Sequence, residues 1–185
     1  MKRVLVPLAE GFEELEAVTI IDMLRRADIE VVVAALAGSS VTGSHGIALS
    51  ADAALDEVAG QDFDMIALPG GMPGAANLMG DSRIAGIIRR LHDKGGYVAA
   101  ICAAPMVLAA AGVLGNRRAT SFPGFLDGNT GLTLVDDPVV VDGRVITSRG
   151  PGTALDFALA LVAQLSGPDA RKEIESQLQR SGAGR

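Results

Sequence analysis

The chain has no tryptophan, one tyrosine and five phenylalanines among its 185 residues. With so little aromatic volume, a core has to be assembled from Val, Ile, Leu and Ala, as in parallel strands covered by helices. One cysteine, Cys102, excludes an intramolecular disulfide and a cysteine-rich zinc site. Two histidines, His45 and His92, leave little material for a Cys-His-acid triad, and the residue after Cys102 is alanine. No apolar run is both long enough and uncharged enough to cross a membrane. Met1-Lys2-Arg3-Val4 leads straight into a strand, unlike a secretory leader, so a cytoplasmic location is expected. The net charge of -6, with basic residues scattered as pairs such as Arg25-Arg26 and Arg89-Arg90, argues against nucleic acid as the main partner. Neither a GxGxxG nor a GK[ST] pattern is present, and the turn Ala9 to Glu14 carries carboxylates that would repel phosphate. No cofactor and no metal are expected.

What is present is alternation. Strands are expected at Arg3 to Leu8, Glu30 to Ala37, Asp64 to Leu68, Tyr97 to Ile101 and Arg118 to Ser121, and helices at Glu13 to Ala27, Ser82 to Lys94 and Ala154 to Leu165. Val41 to Ser50 reads as an antiparallel excursion around a Gly43-Ser44-His45-Gly46 turn, Leu55 to Val58 as a helical turn, and Val139 to Thr147 as a hairpin on Asp142-Gly143. Asp169 is expected to cap a last helix reaching about Gln179. The pattern specifies a doubly wound α/β layer structure with a mostly parallel sheet. One domain over residues 1–180 and a flexible tail at 181–185 are expected.

Cys102 stands where the strand Tyr97 to Ile101 turns into an apolar helix beginning at Ala104, the setting of a nucleophile elbow. The N–H groups of Ala103 and Ala104 are placed to face the sulfur, and a helix N-terminus favours a thiolate. The same stretch also fits a small buried hydrophobe in an alanine-rich run. Glu16 shares a helical stripe with Ile20, Leu24 and Ala27. A carboxyl on a core-facing stripe loses water, so its pKa rises and it holds a proton near neutrality; at the margin of the stripe it would be an ordinary surface acid. Glu13 and Glu14 read as first-turn acids that complement the helix dipole. The Gly pair in Leu68-Pro69-Gly70-Gly71 lets backbone N–H groups approach a ligand without a side chain intervening.

Four segments together, Ala9 to Val18, Leu68 to Gly71, Ala99 to Pro105 and Thr147 to Thr153, resemble in order the DJ/ThiJ/PfpI superfamily, in the branch of the Parkinsonism-associated protein deglycase and its bacterial ThiJ-type relatives. The similarity covers residues 2–179. It implies a flavodoxin-like fold of the class I glutamine amidotransferase type. It also implies Cys102 as nucleophile, Glu16 as the acid beside it, and Gly71 with the Ala103 N–H as an oxyanion hole. Gly70, Arg26 and the Ser148-Arg149-Gly150 segment match positions at the pocket or a homodimer interface. Phe122 stands where several members have His, and His45 where better-known relatives have Arg. Ala103 argues against peptidase activity, because the protease-like branch has His there. The resemblance implies a glutathione-independent glyoxalase or protein deglycase acting on methylglyoxal, glyoxal or their protein adducts. Its alternative is an oxidative-stress sensor or redox-regulated chaperone working through Cys102.

Overall fold

A computed structural model describes residues 1–179; the expected tail at 181–185 lies outside them. In chain order, β1 (Arg3–Leu8), α1 (Glu14–Arg26) and β2 (Glu30–Ala35) form the first crossover unit. The short hairpin β3 (Ser40–Thr42) and β4 (Ala48–Ser50) follows, then β5 (Ala53–Ala54), α2 (Leu55–Val58) and β6 (Met65–Leu68). Next come α3 (Gly74–Gly80), α4 (Ser82–Asp93), β7 (Tyr97–Ile101) and α5 (Pro105–Ala110). The remainder is β8 (Arg118–Ala119), β9 (Thr133–Leu134), β10 (Val139–Asp142), β11 (Val145–Ser148), a 3-10 turn at Pro151–Thr153, α6 (Ala154–Ser166) and α7 (Pro168–Gln177).

Seven strands form one sheet in the order β10-β11-β7-β6-β1-β2-β5, parallel throughout except for the β10–β11 pair. The central strands are apolar on both faces because helices flank the sheet. Helices α1, α6 and α7 pack as one group, and α3, α4 and α5 as another. In α4, Ile84, Ile87, Ile88 and Leu91 repeat at helical spacing and are all buried, so one stripe seats the helix on β6 and β7. Asp81 caps its start by accepting the Arg83 N–H at 2.9 Å. At its end the Gly96 N–H closes back on the Leu91 carbonyl at 2.8 Å, with Gly95 at φ +76° where a side chain would be strained. Ile20 and Leu24 of α1 are fully buried; truncating either to Ala would cost about 2–5 kcal/mol.

Four local expectations differ from the structure. Gly74 opens α3, where the Gly- and Pro-rich composition suggested only loop. The two-residue strands β5 and β9 carry no period of their own and exist because neighbouring backbone pairs with them. β2 ends at Ala35 and β8 at Ala119, each two residues early. Gly167, not Asp169, is the cap of α7: Pro168 occupies the first helical position, which places Asp169 inside the first turn, where its charge still complements the helix dipole.

Candidate active site

Strand β7 lies between β6 and β11 near the middle of the sheet, and Cys102 is the first residue beyond its carboxyl end. Its φ is +64°, a left-handed conformation that costs a non-glycine residue about 1–3 kcal/mol and persists only where the surroundings enforce it. The Cys102 N–H donates to the Ser148 carbonyl at 3.0 Å, and the Phe122 N–H donates to the Cys102 carbonyl at 2.9 Å. β11 and the Phe122 loop therefore hold the elbow from both sides. The Ala104 N–H, expected to face the sulfur, instead closes the turn by donating to the Ile101 carbonyl at 3.0 Å. The two N–H groups that do reach the thiol are those of Gly71 and Ala103. They come from loops after adjacent strands, β6 and β7.

Gly71 can hold that place because it has no side chain. Its φ is +84°, and a Cβ there would stand 2.3 Å from the Glu13 nitrogen. Gly70 is equally confined: a Cβ would come within 2.6 Å of the Cys102 Cβ and 2.9 Å of Glu16 Oε2. The Gly pair thus threads between the elbow and the start of α1, and the Glu13 N–H ties it there by donating to the Gly70 carbonyl at 2.9 Å.

Glu16 is completely buried. Its Oε2 accepts the Gly70 N–H at 2.8 Å, whereas among the described residues Oε1 has no hydrogen-bond partner. Burial pushes the carboxyl up to about 7, against the lowering effects of the Gly70 N–H and the Cys102 thiol; the Glu13 charge adds to the rise. Burial, with the Glu16 charge next, also pushes the Cys102 thiol up to about 12, opposed by the N–H groups of Gly71 and Ala103. The thiolate expected from local N–H groups alone is therefore disfavoured, by burial first and by the Glu16 charge second. Protonation of Glu16 removes the second contribution while both N–H groups still face the sulfur.

Cys102, Glu16, Gly70, Gly71 and Ala103 are thus brought together. Phe122 borders the group through its backbone and is itself half exposed, with its ring against Gly150 and edge-on to Phe125 at 6.2 Å. Arg149 lines a neighbouring cleft of ≈ 320 Å³ with Ser121, Pro123 and Asp136, and is ion-paired with Asp136. His45 lies beside Glu14 and Glu13 on the β3–β4 turn. Within its own chain, Arg26 is remote from Cys102. It stands ten residues from Glu16 along α1, about 15 Å at the rise of a helix, and pairs with Asp22 at 2.9 Å on the surface.

Sequence reasoning missed Glu14. A first-turn acid is ordinarily solvated, but Glu14 is buried: the Gly43–Ile47 turn folds over it, and its Oε1 accepts the N–H groups of His45 at 2.7 Å and Ile47 at 3.3 Å. The available signal was Gly43, where a Cβ would meet the Glu14 carboxyl carbon at 2.2 Å.

Residues 2–164 match the DJ-1/PfpI family. Protein dj-1beta of Drosophila melanogaster is 44% identical over 96% of this chain and 96% of its own length. A protein of Pyrococcus abyssi named a deglycase is 38% identical over 81% of this chain and 91% of its own length. The chain spans less than half the length of the two Arabidopsis thaliana DJ-1 homologs it also matches, 46% and 38%. Among solved structures, oxidized Toxoplasma gondii DJ-1 superposes with a TM-score of 0.94 at 38% identity, over 98% of this chain and all of that one. The strained cysteine at the carboxyl end of β7 and the paired glycines opposite it thus sit in a fold shared over nearly the whole chain with Toxoplasma gondii DJ-1, and with residues 2–164 matched the chain belongs to the DJ-1/PfpI family.

Proposed function

We propose that the chain is a cysteine-dependent, glutathione-independent glyoxalase and protein deglycase acting on methylglyoxal, glyoxal or their adducts with protein side chains. The observation that carries this reading is the Cys102–Glu16 pair: a strained thiol facing two backbone N–H donors, beside a buried carboxyl poised near neutrality. The Pyrococcus abyssi deglycase supports it as a relative.

The Cys102 sulfur attacks the aldehyde carbon of methylglyoxal, and the thiol proton passes through Glu16 to the carbonyl oxygen, giving a hemithioacetal. The N–H groups of Gly71 and Ala103 stabilise the oxygen as it gains charge. Glu16, again a carboxylate, takes the hydrogen of that carbon and delivers it to the neighbouring carbonyl carbon through an enediol. The result is a thioester of lactate on Cys102. Water cleaves it, releasing lactate and the free thiol, so the net change is the addition of one water. Glyoxal gives glycolate by the same route. A side-chain adduct enters at the hemithioacetal stage with the side-chain nitrogen leaving. A carboxyl near 7 suits the cycle because Glu16 must both accept and donate in each turnover. The functional unit is proposed to be a homodimer, with the exposed Leu15 and Val18 of α1 meeting a second copy.

The test is lactate formation from methylglyoxal without glutathione, comparing wild type with Cys102→Ala and Glu16→Ala. The reading requires turnover by wild type and its loss in both folded variants. An inert wild type, or a Cys102→Ala variant at the wild-type rate, overturns it.

One observation favours a second reading, oxidation sensing. The Glu16 carboxyl lies in contact with the Cys102 thiol and, among the described residues, its Oε1 has no partner, so a protonated Glu16 can donate to a sulfinate oxygen on Cys102. The relative solved in an oxidized form is consistent with such a role. Peroxide titration read by intact mass separates the two: a stop at two added oxygens on Cys102 supports sensing, and unselective methionine oxidation opposes it.

A further inference from the structure

Beside the elbow, but separate from it, four donor atoms converge where the Gly43–Ile47 turn meets the start of α1. His45 Nδ1 lies 3.0 Å from Glu14 Oε2, 3.5 Å from Glu13 Oε2 and 3.1 Å from Ser44 Oγ. Ser44 Oγ is 3.4 Å from each of the same two carboxylate oxygens. The donor atoms of Glu13, Glu14 and His45 all fall within 4.8 Å of one another.

These distances have a definite size. A tetrahedron of ligands with bonds of about 2.0–2.2 Å, the range for nitrogen and oxygen on zinc, has edges of about 3.3–3.6 Å. Three of the five separations lie in that range, and those from His45 Nδ1 to Glu14 Oε2 and to Ser44 Oγ, 3.0 and 3.1 Å, fall a little short of it. Proton counting points the same way. An imidazole Nδ1–H and a serine hydroxyl offer one proton each at this point, too few for five close contacts that include two carboxylate oxygens. A divalent cation at the centre would satisfy all four atoms at once and neutralise both carboxylates.

The surroundings also fix the ligands in place. Glu14 Oε1 is occupied by the His45 and Ile47 N–H groups, which leaves Oε2 for the cluster. The Ser44 N–H is tied to the Phe12 carbonyl at 2.8 Å. Such outer contacts orient ligands in metal sites. The imidazole is largely open to solvent, so an ion can enter.

The geometry points to a divalent transition-metal site, best suited to zinc, formed by Glu13, Glu14, His45 and Ser44. It departs from the sequence-based expectation of no metal, and it is independent of the reading of Cys102. One imidazole and three oxygens favour a borderline ion over magnesium, which demands octahedral oxygen geometry and keeps its waters.

The test is Zn²⁺ titration of the full, metal-stripped chain against a chromophoric chelator, with Mg²⁺ as control. Wild type, His92→Ala and Cys102→Ala should each bind one equivalent of zinc. His45→Ala should bind at least about tenfold more weakly, since even losing an outer partner of a metal ligand costs that much. Uptake lost with Cys102→Ala but kept in His45→Ala would assign the zinc to the thiol pair and overturn the proposal. So would a wild type that takes up no zinc. A measurement without substitutions guards against a misfolded variant: zinc should shift the His45 Nδ1 nitrogen resonance and leave that of His92 in place. Equal movement, or none, counts against the site.

Discussion

Glu14 and Glu16 sit two residues apart at the start of one helix, both buried, and they ionise in opposite directions. Two residues advance a helix by roughly 200°, so the two side chains leave opposite sides of α1. Glu14 turns toward the Gly43–Ile47 turn and Glu16 toward the sheet end that carries Cys102. For Glu14, burial is the largest single influence and raises the carboxyl, but the His45 imidazole and the N–H groups of His45 and Ile47 outweigh it and hold it at about 2. Glu16 has one backbone donor, Gly70, and remains near 7. Burial sets the penalty for the charged form in both; the number of donors decides whether it is overcome. The well-supplied carboxyl is held as a carboxylate, and the poorly supplied one stays close to its protonated form near neutrality.

The largest expected effect breaks the pair at Glu16. Glu16→Gln keeps an acceptor for the Gly70 N–H but cannot exchange a proton. Turnover of methylglyoxal to lactate should fall by about 10²–10⁴-fold, the usual worth of a positioned acid-base group. A variant within a few-fold of wild type would remove Glu16 from the proton path.

The same variant has a stability signature. The Glu16 carboxyl rises from 4.5 to about 7 on folding. Between those values the folded state keeps a proton that the unfolded chain releases, so wild-type stability falls as pH rises from 4.5 to 7 and levels off above. The loss is about 3 kcal/mol at 1.36 kcal/mol per pKa unit. Denaturant midpoints of Glu16→Gln should lack this decline, and the variant should gain on wild type toward alkaline pH.

Glu14 should show the opposite slope. Its folded carboxyl lies below the unfolded value of 4.5, at about 2. Its contribution is fully present above pH 4.5 and disappears as pH falls toward 2. Glu14→Gln should remove this acid limb and lower stability at neutral pH by about 1–3 kcal/mol, because the charge-assisted bonds from the turn are weakened. Parallel pH–stability profiles for the two variants would show that the contrast between the carboxyls is wrong.

Much of this arrangement was legible in the residues. The stripe Glu16, Ile20, Leu24 places the carboxyl in the core, and strand-turn-helix spacing places Cys102 at the carboxyl end of β7, because both follow from period and local turn chemistry. The Gly70-Gly71 pair announced a backbone approach. That Gly71 rather than Ala104 supplies the second N–H was implied only by the family resemblance and not by local turn chemistry, because it depends on β6 and β7 being neighbours. The burial of Glu14 depends in turn on a turn some thirty residues away folding back over it. α3 escaped for a different reason: glycine and proline at its start weaken the helical signal, and packing of Ala75 and Leu78 supplies what propensity lacks.

Arg26 supplies the smallest expected effect. The family resemblance sets it near the pocket or a subunit interface, whereas in the chain itself it makes an exposed i,i+4 pair with Asp22, both side chains nearly half open to water. Such pairs contribute about 0.3–0.5 kcal/mol. Arg26→Ala should therefore shift the denaturant midpoint barely at all and leave lactate formation unchanged in a monomer. A second copy laid across α1 would change that result, because the guanidinium would then be desolvated and its loss would weaken association. Sedimentation equilibrium of wild type and Arg26→Ala side by side separates the cases. Equal association constants make Arg26 a plain surface residue; a weaker one places the subunit contact on the outer face of α1, on the same helix whose inner face carries Glu16.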